Sequence, residues 1–266
     1  MELRFSPLFS GSSGNATYVG CDDAHILVDA GLSGSRVTGE LQRVGVDPSA
    51  LTAILVTHEH SDHIKGIGIL SRKYDLPVFA TEGTWREMLG KVGNIPTRNM
   101  RVIEPEQDFY LGSIDVTPFP IPHDAAQPVG YTFQLGGAKL AIATDLGNVR
   151  ESWMKHVDGA GAVILESNYD PGMLETGPYP YDLKKRIMGR RGHLSNDNAS
   201  EVAVELALHG TRQIILGHLS KENNYPELAL KCCEIAMRAA GVYDTQITVA
   251  SRDGNSGMFS VFADLQ

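Results

Sequence analysis

Residues 51 to 63 read Leu51-Thr52-Ala53-Ile54-Leu55-Val56-Thr57-His58-Glu59-His60-Ser61-Asp62-His63. The first seven are a short buried strand by composition. The six that follow hold four side chains that bind metals. If extended backbone persists past Thr57, side chains two apart share a direction, so His58 and His60 aim both imidazoles into one spot. Asp62 and His63 then open the helix read over Asp62–Tyr74. A turn between a rigid strand and a helix fixes the direction of all four groups. His-x-His-x-Asp-His is rare by chance in a chain with nine histidines, which argues against an ordinary solvated loop.

Two histidines and an adjacent Asp-His pair can start two metal sites, but each ion needs further ligands to reach four or five. The chain offers them at strand ends. His123 follows the apolar run Val116 to Ile121, Asp145 follows Leu140 to Thr144, and His218 follows Ile214 to Gly217. Each obeys one grammar, a buried strand and then a single ligand-type residue. A lone histidine at a strand end is usually a hydrogen-bonded structural residue, and only the company of the first motif raises these three.

The rest of the sequence bounds the answer. With 266 residues, 42% hydrophobic and 21% charged, the chain is globular and long enough to bury a large core without disulfides. Its three cysteines, Cys21 and the vicinal Cys232 and Cys233, read as small buried hydrophobes. No apolar run is long enough to span a bilayer, and Met1 to Gly11 lacks a secretory apolar region, so the expected compartment is the cytosol. Strands are expected over Leu3–Leu8, Ala16–Val19, His25–Asp29, Leu51–Thr57, Val78–Ala80, Val102–Glu104, Ile114–Phe119, Val129–Leu135, Lys139–Thr144, Ala162–Glu166, Gln213–Leu216, Gln246–Val249 and Gly257–Phe262. Helices are expected over Arg36–Val44, Asp62–Tyr74, Thr84–Val92, Arg150–Val157, Asp182–Met188, Asn196–His209 and Tyr225–Ala240. Hairpin-like pairs mixed with strand-helix units predict sheets covered by helices on their outer faces, and with no linker or repeat the whole of 1–266 reads as one domain.

A formal charge of −9 argues against a surface coated in basic residues for binding nucleic acid. A polyanion would have to be met locally, and Lys184, Lys185, Arg186, Arg190 and Arg191 fall within eight residues, followed by His193. By itself such a run is more often a solvated helix face. The loop Ser10-Gly11-Ser12-Ser13-Gly14-Asn15 is either a flexible hairpin connection or a set of backbone N–H groups laid against an anion. Arg252, in a turn expected near the C-terminus, is a weaker candidate for a phosphate contact. His25, His156 and His209 have no companions at ligand spacing and fall outside the site.

His58-x-His60-x-Asp62-His63 followed in order by His123, Asp145 and His218 resembles the metallo-β-lactamase superfamily across essentially the whole chain. The Ser10–Asn15 loop, Glu166-Ser167-Asn168, Gly192-His193-Leu194-Ser195-Asn196 and Gly217-His218-Leu219-Ser220-Lys221-Glu222-Asn223-Asn224 look like its YycJ branch, also called WalJ or VicX, which is similar to PhnP and RNase Z. The resemblance implies an α/β fold of the αββα sandwich type, two mixed sheets with helices on the outer faces, and a metal-dependent phosphodiesterase, a 5′-to-3′ DNA exonuclease. It implies two divalent metal ions, Zn, Mn or Fe, with His58, His60 and His123 on one, Asp62, His63 and His218 on the other, and Asp145 bridging them.

A hydroxide held between two such ions would be the nucleophile. Asp62 would also accept a hydrogen bond from it. His193 is expected as general acid or electrostatic stabiliser of the departing 3′-oxygen, with Glu166 orienting it as in RNase Z. Ser12, Asn15, Lys184, Lys185, Arg190 and Arg191 are expected at the substrate, a DNA strand or duplex end, and Tyr179 and Tyr181 could stack on bases. Tyr169 stands where the branch has a histidine, so no role is carried over to it. The 72 residues between Asp145 and His218 leave no room for the inserted domain of β-CASP nucleases, and no long RNase Z arm is visible. The rival readings are a small-molecule hydrolase acting on a cyclic phosphodiester or thioester, and a non-catalytic regulatory metal-binding protein tied to a two-component signalling system.

Overall fold

The structure is a computed structural model that describes residues 2–262. Alternating apolar residues build two seven-stranded mixed sheets that face each other. The first sheet contains β1 (Glu2–Phe9), β2 (Ala16–Gly20), β3 (His25–Val28), β4 (Ala53–Leu55), β5 (Val78–Thr81), β6 (Met100–Ile103) and β14 (Phe259–Phe262), in the order β14-β1-β2-β3-β4-β5-β6. The second contains β7 (Phe109–Leu111), β8 (Ile114–Pro120), β9 (Val129–Leu135), β10 (Ala138–Ala143), β11 (Ala162–Glu166), β12 (Gln213–Gly217) and β13 (Gln246–Val249), in the order β13-β12-β11-β10-β9-β8-β7. In each sheet one half is antiparallel and the other parallel, from β3 to β6 and from β10 to β13.

Period-two patterning assigns side chains to layers. Ile26 and Val28 of β3, Leu140 and Ile142 of β10, and Ile164 of β11 meet between the sheets. Their neighbours turn outward. Leu27 and Ile54 pack under α1 (Gly34–Arg43), α3 (Ile67–Tyr74) and α4 (Glu82–Met88). Val163, Leu165 and Leu216 pack under α5 (Glu151–Val157), α8 (Asn196–Leu208) and α9 (Pro226–Ala239). The helix-sheet-sheet-helix sandwich expected from the sequence is therefore present. Among the described residues, no helix is long and apolar enough to cross a membrane.

Three expectations need correction. The strand read over Leu51–Thr57 ladders only over Ala53–Leu55, and the Thr57 N–H goes instead to Asp29 Oδ1 at 2.9 Å. The helix read over Asp62–Tyr74 is two, α2 (Ser61–Ile64) and α3, parted at Gly66. A Cβ there would lie 2.4 Å from the Leu32 carbonyl, while the Gly66 N–H donates to Ala30 O at 2.7 Å, so the chain leaves the helical path to dock against the β3–α1 loop. Strand β7 and the helices α6 (Pro171–Thr176) and α2 were not anticipated as separate elements. Helix α7 (Tyr181–Ile187) lies within a residue of the expected bounds.

Candidate metal centre

Parallel strands deliver their C-terminal ends to one edge of each sheet, where ligands collect in open α/β sheets. Asp29 follows β3 and His58 lies three residues past β4. In the other sheet Asp145 lies two past β10, Glu166 ends β11 and His218 follows β12, while His123 lies three beyond β8. Residues far apart in the chain thus meet at one rim of the sandwich. Asp29, Asp145 and His218 have φ of 59°, 61° and 55°. Left-handed backbone at a non-glycine residue is costly and collects at working sites.

His58, His60 and His123 form one trio, with His58 Nε2 3.1 Å and His123 Nε2 3.3 Å from His60 Nδ1. Asp62, His63 and His218 form a second, Asp62 Oδ2 being 3.5 Å from His63 Nε2 and 3.7 Å from His218 Nε2. Asp145 lies between them: Oδ1 is 3.5 Å from His123 Nε2 and Oδ2 3.5 Å from His63 Nε2. All seven expected ligand residues come together. The buried Asp145 Oδ2 and His218 Nε2 have no hydrogen-bond partner. Buried polar atoms are nearly always partnered. Unshared lone pairs converging from imidazoles and carboxylates are the donor set that divalent cations take, so these residues fit the metals that the sequence implied.

The charges of the two trios differ. Burial lowers the His58 pKa and the nearby His63, His123 and His60 push it further down, so His58 offers a neutral imidazole. Burial would lower His218 as well, but Asp145, Asp62 and Glu166 outweigh it and push it up to about 10. His63 is likewise raised, burial being overcome by Asp29, Asp145 and Asp62. The carboxylates around the second trio thus favour positive charge on its imidazoles, a place that a metal ion would fill.

Behind the trios a further ring of acceptors orients the imidazoles. Asp29 accepts from Thr57 N at 2.9 Å, Thr57 Oγ1 at 2.7 Å and His63 Nδ1 at 2.8 Å, which turns His63 Nε2 toward Asp62 and Asp145. Sequence reasoning missed Asp29, although it sits at a strand end as Asp145 does, and that position was the available signal. Glu166 is fully buried. Its Oε1 accepts from His193 Nδ1 at 2.8 Å and His218 Nδ1 at 2.9 Å, and its Oε2 from the N–H groups of Leu146 at 2.7 Å and Leu194 at 3.0 Å. His193 therefore stands beside the trios, its ring centroid 5.2 Å from His123 and 5.3 Å from His218.

The expected substrate contacts divide. Asn15 turns its amide to His63 Nε2 at 3.1 Å and Asp62 Oδ2 at 3.4 Å, and accepts from Gly11 N, so it supports the second trio rather than facing outward. Ser12 is exposed on the loop. Lys184 Nζ donates to the carbonyls of Glu175 and Gly177 at 2.8 Å, closing the end of α6. Arg191 Nε donates to the His123 carbonyl at 2.9 Å, which makes it a brace for that histidine. Among the described residues only Lys185 and Arg190 of the four expected cations are exposed with no side-chain partner. Tyr169 packs with Leu174 and Ile187 beneath α6 and α7, joined by Tyr179, while Tyr181 is exposed. Arg252 donates to Ser220 O at 3.1 Å and lies against Gly11. His25, His156 and His209 lie elsewhere, bonded to Tyr18, Glu106 and Asp158.

Comparison with known proteins identifies the family and agrees with the fold. A family model described as "Beta-lactamase superfamily domain" matches residues 24–219. The chain is 44% identical over 229 residues to the exodeoxyribonuclease YycJ of Bacillus anthracis, covering 86% of this chain and 87% of the relative. It is 40% identical over 229 residues to the exodeoxyribonuclease WalJ of Streptococcus pneumoniae, covering 85% of each. Among solved structures, the metallo-beta-lactamase fold protein YhfI from Bacillus subtilis superposes with a TM-score of 0.72 at 16% identity, covering 98% of this chain and 100% of that one, a likeness of fold.

Proposed function

The chain belongs to the metallo-β-lactamase superfamily, and on that footing we propose that it is a metal-dependent 5′-to-3′ DNA exonuclease, with residues 1–266 acting as one hydrolase domain. The observation that carries this reading is the pair of side-chain trios sharing Asp145, whose buried Oδ2 has no partner. The exodeoxyribonucleases to which the chain is 40–44% identical supply the substrate class. His58, His60 and His123 would hold one divalent ion and Asp62, His63 and His218 the other, with Asp145 touching both; Zn, Mn and Fe(II) all suit such ligands. When bound, the ions supply a nucleophile at neutral pH from water and neutralise charge on the phosphoryl oxygens.

The chain's own groups do the remaining work. Asp62 is partly exposed, and its carboxylate would accept a hydrogen bond from the attacking oxygen. Its pKa is held well below the carboxylate range because His63 and His218 outweigh the effect of burial, so it stays an acceptor at working pH. His193 binds its Nδ1 proton to Glu166, which leaves Nε2 as the atom that can give a proton to the departing 3′-oxygen. Because Glu166 is anchored by two backbone N–H groups, His193 cannot swing without breaking a buried network. Lys185 and Arg190, exposed and without a side-chain partner, would track backbone phosphates.

Incubation of the Mn- or Zn-loaded protein with 5′- and 3′-labelled oligonucleotides, a cyclic nucleotide and an acyl-glutathione tests the reading. Release of mononucleotides from the 5′ end is expected; hydrolysis of the thioester alone refutes it.

A further inference from the structure

Of the five cations between Lys184 and Arg191, Arg186 is set apart by what it holds. Its Nε donates to Asp124 Oδ2 at 2.5 Å and its Nη2 to Asp124 Oδ1 at 3.1 Å, a two-point fork. Asp124 is no remote partner. Its Oδ1 lies 3.4 Å from His123 Nε2, the atom that faces His60 at 3.3 Å and Asp145 at 3.5 Å. The guanidinium is therefore one carboxylate removed from the first trio. The hydrogen bond to Asp124 raises the Arg186 pKa against partial burial, and the fields of Asp124, Asp62 and Asp145 add to it.

The pair sits at the rim, with the Arg186 side chain 52% exposed and that of Asp124 30% exposed. An ion pair this open contributes little to stability, so changing partners costs little. A carboxylate offers two oxygens in the geometry at which a phosphodiester offers its two non-bridging ones, and a guanidinium fork suits both. The other basic side chains are differently engaged: Lys184 and Arg191 on backbone carbonyls, Lys185 and Arg190 in solvent.

We propose that Arg186 is the clamp for the reacting phosphate and that Asp124 stands in for that phosphate in the free protein, giving up the guanidinium when substrate arrives. The proposal rests on the phosphodiesterase reading above and names the residue that would grip the substrate there. It predicts opposite effects from the two halves of one ion pair, whereas a purely structural link between α7 and the His123 loop predicts the same effect from both.

The test is calorimetric titration of thymidine 5′-monophosphate into the Mn-loaded wild type and the Arg186→Ala, Arg186→Lys and Asp124→Asn variants, with metal content measured on each. Arg186→Ala should weaken binding about tenfold or more, and Arg186→Lys should recover only part, because an ammonium cannot form the fork. Asp124→Asn should tighten binding several-fold with metal content unchanged. No measurable binding by the wild type, no loss in Arg186→Ala, or no tightening in Asp124→Asn overturns the clamp. Metal loss in Asp124→Asn overturns it too, by making Asp124 a ligand. The polymer substrate is scored separately, on wild-type digestion of a labelled oligonucleotide, so a failure there leaves the thymidylate pattern to decide the clamp.

Discussion

Replacing Glu166 by Gln exchanges one oxygen for an NH2 group and should weaken metal binding at one half of the centre. The carboxylate takes four hydrogen bonds: two imidazole N–H groups on Oε1, at 2.8 and 2.9 Å, and two backbone N–H groups on Oε2, at 2.7 and 3.0 Å. A glutamine must turn its NH2 toward one pair. Facing the backbone, it strands two buried donors that cannot move, at a cost of roughly 2–6 kcal/mol for the two. Facing the imidazoles, it meets groups that can adapt, since His193 and His218 can shift their protons from Nδ1 to Nε2 and accept from the amide. The second arrangement wins, and its consequence is specific: His218 Nε2, now protonated, has no lone pair for a metal. We expect Glu166→Gln to fold, to lose about 10–100-fold in affinity at the Asp62-His63-His218 position, and to lose turnover with it. Metal stoichiometry by mass spectrometry across a series of buffered free-metal concentrations reads this directly. Two equivalents bound at wild-type affinity would refute the tautomer argument.

Other expectations follow from the same geometry. His193→Ala should keep its metal while kcat falls about 10²–10⁴-fold, whereas Asp145→Asn should abolish turnover; equal metal loss in the two would remove His193 from its assigned role. Neutralising Lys185 and Arg190 together should lower the slope of log affinity against log salt on oligonucleotides by about 1–2, yet leave a small phosphodiester little changed. At Gly31 a Cβ would fall 1.6 Å from the Asp62 carbonyl oxygen, so Gly31→Ala should displace Asp62, lower the melting temperature and release metal on dialysis. Trp153→Ala should cost about 3–5 kcal/mol in denaturant unfolding, because the indole is fully buried and donates to Asn148 O at 3.0 Å.

Much of this centre could be read from the chain because the residues that gather there follow a local rule. A buried strand ending in a single Asp or His is visible in sequence, and His123, Asp145 and His218 all obey it. Asp29 obeys it too, and its importance comes from His63 and Thr57, which reach it only in three dimensions. Long-range accounting also decided the basic segment. Nothing local distinguishes Lys184 from Lys185, yet one caps α6 and the other is free. Strand β7 was legible but missed: Phe109–Leu111 is separated from β8 by Gly112-Ser113, a two-residue turn with Gly112 at φ 56°, and Phe109 stacks on Phe79 at 5.2 Å. The break at Gly66 was not legible, because the carbonyls it approaches belong to the loop after β3.

The left-handed backbone at Asp29, Asp145 and His218 narrows what evolution or an engineer can do there. Aspartate, asparagine and histidine are the side chains that tolerate such torsions best, while valine or isoleucine would be ejected on steric grounds before any question of charge arose. Sequence drift at these three places therefore confounds shape with chemistry. An amide exchange at the two aspartates removes the negative charge while keeping both shape and the backbone's preference, and a library that samples all twenty amino acids there would mostly be selecting for folding.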